Sequence, residues 1–295
     1  MKSNRVIEFE PKKQLLAKAK QYVESIELFC EEPEQAVPLL LRALKHADGE
    51  LRREIMLVLG SFAKEESVWP LYEIMADASE SEEVRNDAAI QLSVMGPLLR
   101  ESQPLIDRLL ENIGSSDADL RLHATFAVGW RGNFQAAIPL IERLYDADDR
   151  VRQTAVNALC NLRDDRILQL LRERLEHGGL EQKKTILLNL WRFDSKREEV
   201  IEVYLKCLEH EDADVRFDAL ACFGLLVDVR DHLEAYRKRL KDRDPRIRGL
   251  AIKRLAEDAR DAALKSFPTE IEALLDDPDM EIKKTALKIL KKNRE

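Results

Sequence analysis

The stretch "DDRVRQTAVNAL", residues 148–159, decides the fold because it recurs along the chain. "DADLRLHATFAV" stands at 117–128, "DADVRFDALACF" at 212–223 and "DPDMEIKKTALKIL" at 277–290. Aligned on the basic residue, eight copies are anchored at Arg52, Arg85, Arg121, Arg152, Lys183, Arg216, Arg248 and Lys283, with steps of 31 to 36 residues. Three positions after each anchor come Ile55, Ala88, Ala124, Ala155, Ile186, Ala219, Ala251 and Ala286. Seven positions after come Leu59, Leu92, Val128, Leu159, Leu190, Phe223, Leu255 and Leu290. Offsets of three and seven share one helical face, so each copy predicts an amphipathic helix, B. Alanine at the third position lets a neighbouring helix approach closely.

A second amphipathic segment precedes each B helix, as in "VPLLLRAL", "QPLIDRLL", "AIPLIERLY" and "FPTEIEALL". Pro38, Pro70, Pro104, Pro139 and Pro268 are expected near the starts of these A helices, where a missing N–H does no harm. No alternating strand-like run competes. A helical hairpin repeated every 31 to 36 residues signals a solenoid. The expectation is one all-α domain over 1–295: residues 10–31 form a single N-terminal capping helix, and 34–295 hold eight repeats. The lysine-rich final helix is the natural C-terminal cap.

The pattern of Asp, then Arg four residues on, then Ala and Leu on the same face resembles HEAT repeats. It is most similar to the short HEAT-like repeats of the phycobilisome lyase type. The resemblance covers about residues 34–295 and implies an α–α superhelix, a right-handed solenoid of the armadillo-type class. It says little about function, because such repeats serve many ends.

Composition agrees with a helical globular chain. Hydrophobic residues make up 45% and charged residues 35%, with only 10 Gly and 10 Pro in 295 residues. Cys30, Cys160, Cys207 and Cys222 are scattered and read as buried thiols of a reducing compartment. "MKSNRVIEFE" has no apolar core of a signal peptide, and runs such as "VPLLL" are too short to span a membrane. A cytoplasmic monomer is expected.

A cation in the first helical turn opposes the helix dipole unless carboxylates answer it. Asp48, Asp117, Asp148, Asp212, Asp244 and Asp279 stand four residues before their anchors. They suggest an Asp–Arg ladder joining successive repeats, with a structural rather than catalytic role. Repeat 5 departs from the pattern: Gly178 and Gly179 occupy its turn and Lys183 its anchor. That is either repeat drift or a flexible joint.

No catalytic constellation emerges. A metal hydroxylase built on HEAT-like repeats, deoxyhypusine hydroxylase, needs His-Glu pairs near the starts of B helices. None of the pairs that follow the anchors, from Arg53 and Glu54 to Lys284 and Thr285, is His-Glu. His46, His177 and His210 share the position six before the anchor. Neighbouring repeats are about 8–10 Å apart, too far for a shared metal whose ligands sit at about 2 Å. These histidines are expected at the C-terminal ends of A helices, where the dipole favours them. Walker, HExxH and GxSxG motifs are absent, and Gly129-Trp130-Arg131-Gly132 reads as a helix stop. No enzyme activity, cofactor or metal is expected.

The function expected is a protein-interaction scaffold or adaptor that holds a protein partner along a concave B-helix surface. Phe126, Trp130, Asn157, Asn161, Leu188, Asn189, Trp191 and Arg192 are the candidate partner-binding residues. Aromatic and Arg anchors suit hot spots, and Asn can both donate to and accept from an extended peptide. The bland reading makes Trp130 and Trp191 core or helix-end residues. The alternative partner is nucleic acid, held at the basic C-terminal end. Residues 237–254 carry nine cations and two anions, yet the chain as a whole is −8. A phycobilin-lyase-like subunit, implied by the resemblance alone, is a third reading.

Overall fold

The computed structural model describes residues 11–193, 196–258 and 268–292. No strand occurs among them. Contacts cluster into two compact units, Met1–Asp164 and Asp165–Glu295.

The first unit opens with α1 (Lys12–Glu24) and α2 (Ile26–Glu31). Four hairpins follow: α3 (Pro33–Leu44) with α4 (Gly49–Ser61), α5 (Glu65–Ala76) with α6 (Glu82–Met95), α7 (Gln103–Ile113) with α8 (Ala118–Val128), and α9 (Ala137–Arg143) with α10 (Asp149–Leu162). The second unit holds four more: α11 (Arg166–His177) with α12 (Leu180–Leu190), α13 (Arg197–Cys207) with α14 (Ala213–Leu226), α15 (Leu233–Arg239) with α16 (Pro245–Asp258), and α17 (Pro268–Ala273) with α18 (Met280–Lys292). Among the described residues this is an all-α solenoid fold of eight helical hairpins.

The cap is two helices rather than one. Ser25 adopts an extended conformation (φ −127°, ψ 95°) and its hydroxyl accepts from Leu28 N, which ends α1 and starts α2. Residue 10 and the last residues of the C-terminal cap, 293–295, lie outside the described residues. Pro104 and Pro268 sit at helix starts as expected, but Pro38 and Pro70 lie inside α3 and α5. Those helices begin about a turn earlier, where Pro33 at the first position and the acidic Glu65 and Glu66 favour an N-terminus.

The core is the B-helix face read from the repeat. All eight residues three after the anchor are at most 1% exposed. Seven of the eight at the seventh position are equally buried, and Leu290 is half-buried. Cys222 is buried, but Cys30 is exposed and Cys160 and Cys207 are half-buried, so the expectation of four buried thiols fails at these positions.

The ladder exists, with a different aspartate. The residue four before the anchor caps its own helix: Asp117, Asp148, Asp212, Asp244 and Asp279 each accept from the backbone N–H two residues on. The carboxylate that meets the preceding anchor lies two residues earlier. Arg121 forks onto Asp146 at 2.9 and 2.8 Å, Arg216 onto Asp242 at 2.9 and 2.8 Å, and Arg248 onto Asp277 at 2.6 and 3.0 Å. Each of these guanidiniums also donates to two carbonyls of its own turn, such as His210 O and Glu211 O for Arg216. One Arg therefore closes its own turn and ties on the next repeat. Arg52 forks onto Glu80 of the next repeat, one register position over.

Burial alone pushes the Asp146 and Asp242 carboxyls up, but their Arg partners outweigh it and hold both below the usual carboxylate range. A second, exposed rung runs beside the first. Arg150 reaches Asp119 at 2.8 Å and Arg246 reaches Asp214 at 2.8 Å. Arg150 also holds its own cap carboxyl, Asp148, down to about 2.

Candidate partner-binding surface

The face of each B helix opposite the core decides what a partner could meet. In several repeats its positions five or nine after the anchor carry apolar side chains. In the first unit these are Leu57 (56% exposed) and Val94 (46% exposed), with Ile90 and Phe126 half-buried in the same register. Their helices α4, α6 and α8 pack against one another in order. Trp69, on A helix α5, is also exposed. In the second unit Leu188 on α12 and Leu225 on α14, adjacent B helices, are exposed, as is Trp191. Solvated apolar side chains repeated on one helix face are a different matter from scattered ones.

Four of the eight predicted residues fall in each unit. Phe126 and Asn157 occupy the same register on adjacent helices α8 and α10, and Asn157 and Asn161 are exposed. Trp130 is not available: it is 6% exposed, and its ring packs against Gly96 so closely that a Cβ there would come within 2.7 Å. The chain turns immediately after α8, with Gly129 as C-cap and Asn133 Nδ2 donating to Val128 O at 2.9 Å. The helix stop expected at Gly129 is present, and the turn that makes it folds the Trp130 indole inward.

Leu188 and Trp191 are exposed, and Trp191 Nε1 donates to Leu188 O at 3.0 Å. The Arg192 guanidinium lies 6.0 Å from the Trp191 ring centroid. Asn189 is half-buried and its Nδ2 donates to Thr185 O at 2.9 Å, so its amide donor serves the helix rather than an incoming peptide. Leu57, Val94 and Leu225 were missed. Their signal was present: they stand at the fifth and ninth positions, where copies 4, 7 and 8 carry Asn, Lys or Glu.

The other predicted features are structural. Gly178 is tight against its own helix end, where a Cβ would come within 2.5 Å of Arg174 O; this accounts for glycine there without motion. His210 does not meet helix-end carbonyls; its Nδ1 accepts from Asp212 N at 3.1 Å. Among the described residues, no group of three or more His, Cys, Asp or Glu is placed to hold a metal ion. No described helix is long and apolar enough to cross a membrane.

The fold defines the class: an α-solenoid whose repeats are tied by Arg–carboxylate rungs. A sequence model of HEAT repeats matches residues 17–93 and 103–190, more than half of the chain. The chain belongs to the HEAT-repeat family. It is 29% identical over 189 residues to cullin-associated NEDD8-dissociated protein 2 of Mus musculus, covering 61% of this chain and 14% of that protein. The Rattus norvegicus protein of the same name matches with 29% identity, and 13% of its length is covered. Thus the chain spans only about a seventh of these relatives. Among solved structures, Kap95p bound to RanGDP aligns with a TM-score of 0.48 at 13% identity, covering 88% of this chain and 40% of that one. The CpcE–CpcF phycocyanin lyase of Nostoc sp. PCC7120 aligns with a TM-score of 0.36 at 16% identity, covering 87% and 94%. Neither likeness extends beyond the general architecture.

Proposed function

We propose that this chain is a non-catalytic protein-interaction scaffold that holds its partner on the exposed faces of its B helices. The observation that carries this reading is the apolar stripe of Leu57, Ile90, Val94 and Phe126 across three consecutive B helices. Water contact with Leu57 and Val94 is unfavourable by about 25 cal/mol per Å² of apolar surface, and a partner would relieve it. Leu188, Trp191 and Leu225 offer the same chemistry in the second unit. The names of the rodent relatives describe association with cullins, which supports a role in association without naming a partner here.

The nucleic-acid reading loses several of its cations to the fold. Arg237 pairs with Glu270, Arg239 with Glu209, Arg246 with Asp214 and Asp244, and Arg248 with Asp277. A cation held by a carboxylate releases no phosphate counterion when DNA or RNA approaches.

The test uses the full chain as bait, with and without nuclease, beside a Leu57→Ser/Val94→Ser variant. Partners that survive nuclease and are lost with the variant support the scaffold. Partners indifferent to the variant sink the stripe, and partners lost with nuclease transfer the reading to nucleic acid.

A further inference from the structure

Within the second unit one rung of the ladder is interrupted. Arg216–Asp242 and Arg248–Asp277 are both made, but at the preceding rung Lys183 stands for Arg and His210 for Asp. His210 still performs the local half of the Asp role. Its Nδ1 accepts from Asp212 N at 3.1 Å, as Asp242 accepts from Asp244 N at 3.0 Å and Asp277 from Asp279 N at 2.9 Å. With Nδ1 occupied as acceptor, the neutral ring carries its proton on Nε2. The position that offers an anion at the other rungs offers an N–H donor here. Among the described residues, no carboxylate pairs with the Lys183 ammonium.

The interrupted rung opens into a cavity of about 590 Å³ between α11 and α13, lined by Lys183, His210, Arg172, Lys206 and Cys207 among others. That volume is in the range of small-ligand sites. Arg172 donates through Nη2 to Glu199 O at 3.0 Å, while its buried Nε has no hydrogen-bond partner. The carboxylates of the wall are largely spent: Glu176 is held by Lys206 at 2.6 Å and Glu209 by Arg239 at 2.9 Å, leaving Glu202 exposed at the rim. Burial pushes the Cys207 thiol up, away from the reactive thiolate, so the site is one of binding rather than covalent chemistry.

We propose that this cavity binds a carboxylate supplied from outside the chain, which takes the place on Lys183 that an aspartate of the next repeat takes at the neighbouring rungs. The carboxylate comes either from a free short dicarboxylic acid or from an acidic side chain of a partner protein. The site uses the turn end of α12 rather than the exposed apolar stripe, so it stands or falls independently of the scaffold reading.

The test is an NMR titration of the full chain, labelled at Leu and Val methyls and at the histidine rings. The probes are succinate, an acetylated Asp/Glu tetrapeptide and the matching Asn/Gln tetrapeptide. Succinate or the acidic peptide should shift the Leu175, Val203 and His210 resonances, and the neutral peptide should not. Tighter binding of the peptide assigns the ligand to a partner side chain; tighter binding of succinate assigns it to a free acid. Lys183→Gln should weaken binding about tenfold, the worth of one charge-assisted hydrogen bond. Lys183→Arg/His210→Asp rebuilds the rung and should abolish binding while raising Tm. The proposal is overturned if neither acidic probe shifts these resonances, or if binding is unchanged in Lys183→Gln or in the rebuilt variant. Far-UV circular dichroism confirms that each variant keeps its helices.

Discussion

Cutting one end of the Arg216–Asp242 rung measures how strongly the ladder holds neighbouring repeats. The Arg216 side chain is 12% exposed and that of Asp242 6%, so neither charge can turn to water when its partner is lost. Breaking such a pair from one side costs about 3–5 kcal/mol. The low end applies here, because each group keeps other bonds. Asp242 retains the Asp244 amide at 3.0 Å, and Arg216 retains two carbonyls at 2.9 and 2.8 Å. Arg216→Met and Asp242→Asn are each expected to cost about 3 kcal/mol. The double variant should cost clearly less than the sum, with a coupling of at least about 1 kcal/mol, since it leaves no orphaned charge. Urea unfolding at neutral pH supplies the cycle, and hydrogen exchange of the 208–216 amides shows whether the loss is local to this turn. The pH dependence has a definite sign. Asp242 titrates lower in the fold than its unfolded value of about 3.9, so its contribution is complete above that pH and is lost as pH falls through the folded pKa. A cost below about 0.5 kcal/mol for both single variants would put the rung among ordinary surface pairs and refute the reasoning, as would strict additivity.

Two further perturbations probe the first unit. His123 is 1% exposed, neither ring nitrogen has a partner, and burial together with the Arg85 charge pushes its pKa down. Its neutral form is the folded form, so the stability tied to it is complete above the unfolded pKa of about 6.5 and falls as pH drops toward the lower folded value. His123→Leu should flatten the Tm difference between neutral and mildly acidic buffer; an unchanged difference would show that His123 does not cause it. Trp130→Ala should cost about 3–5 kcal/mol in chemical denaturation, as expected for emptying a buried indole site. Gly96→Ala should also destabilise, by driving a methyl into the same ring. A loss under about 1 kcal/mol for Trp130→Ala would return that side chain to the surface.

The eight hairpins were legible because an amphipathic helix writes its period into the chain, and the buried third and seventh positions after each anchor follow from it. Asp148 and Asp212, expected as rungs between repeats, instead serve amides two residues away and cap their own helices. The candidate surface was harder to read. Leu188 and Trp191 are exposed as read, but Trp130 is turned inward by a loop whose packing against Gly96 joins residues 34 positions apart in sequence. The break at Ser25 went unseen because serine is common within helices as well as at their starts.

Sequence alone therefore determined the class of this protein, its repeat register and its buried helix face, all properties of spacing along the chain. Tertiary structure decided which aspartate meets which arginine, which tryptophan is hidden, and where the ladder fails. These depend on one repeat being laid against the next. Asp242 and Asp244 have the same chemistry and stand two residues apart, yet only Asp242 faces Arg216 of the preceding repeat. The cavity at Lys183 likewise brings together two departures from the repeat 27 positions apart, Lys for Arg and His for Asp.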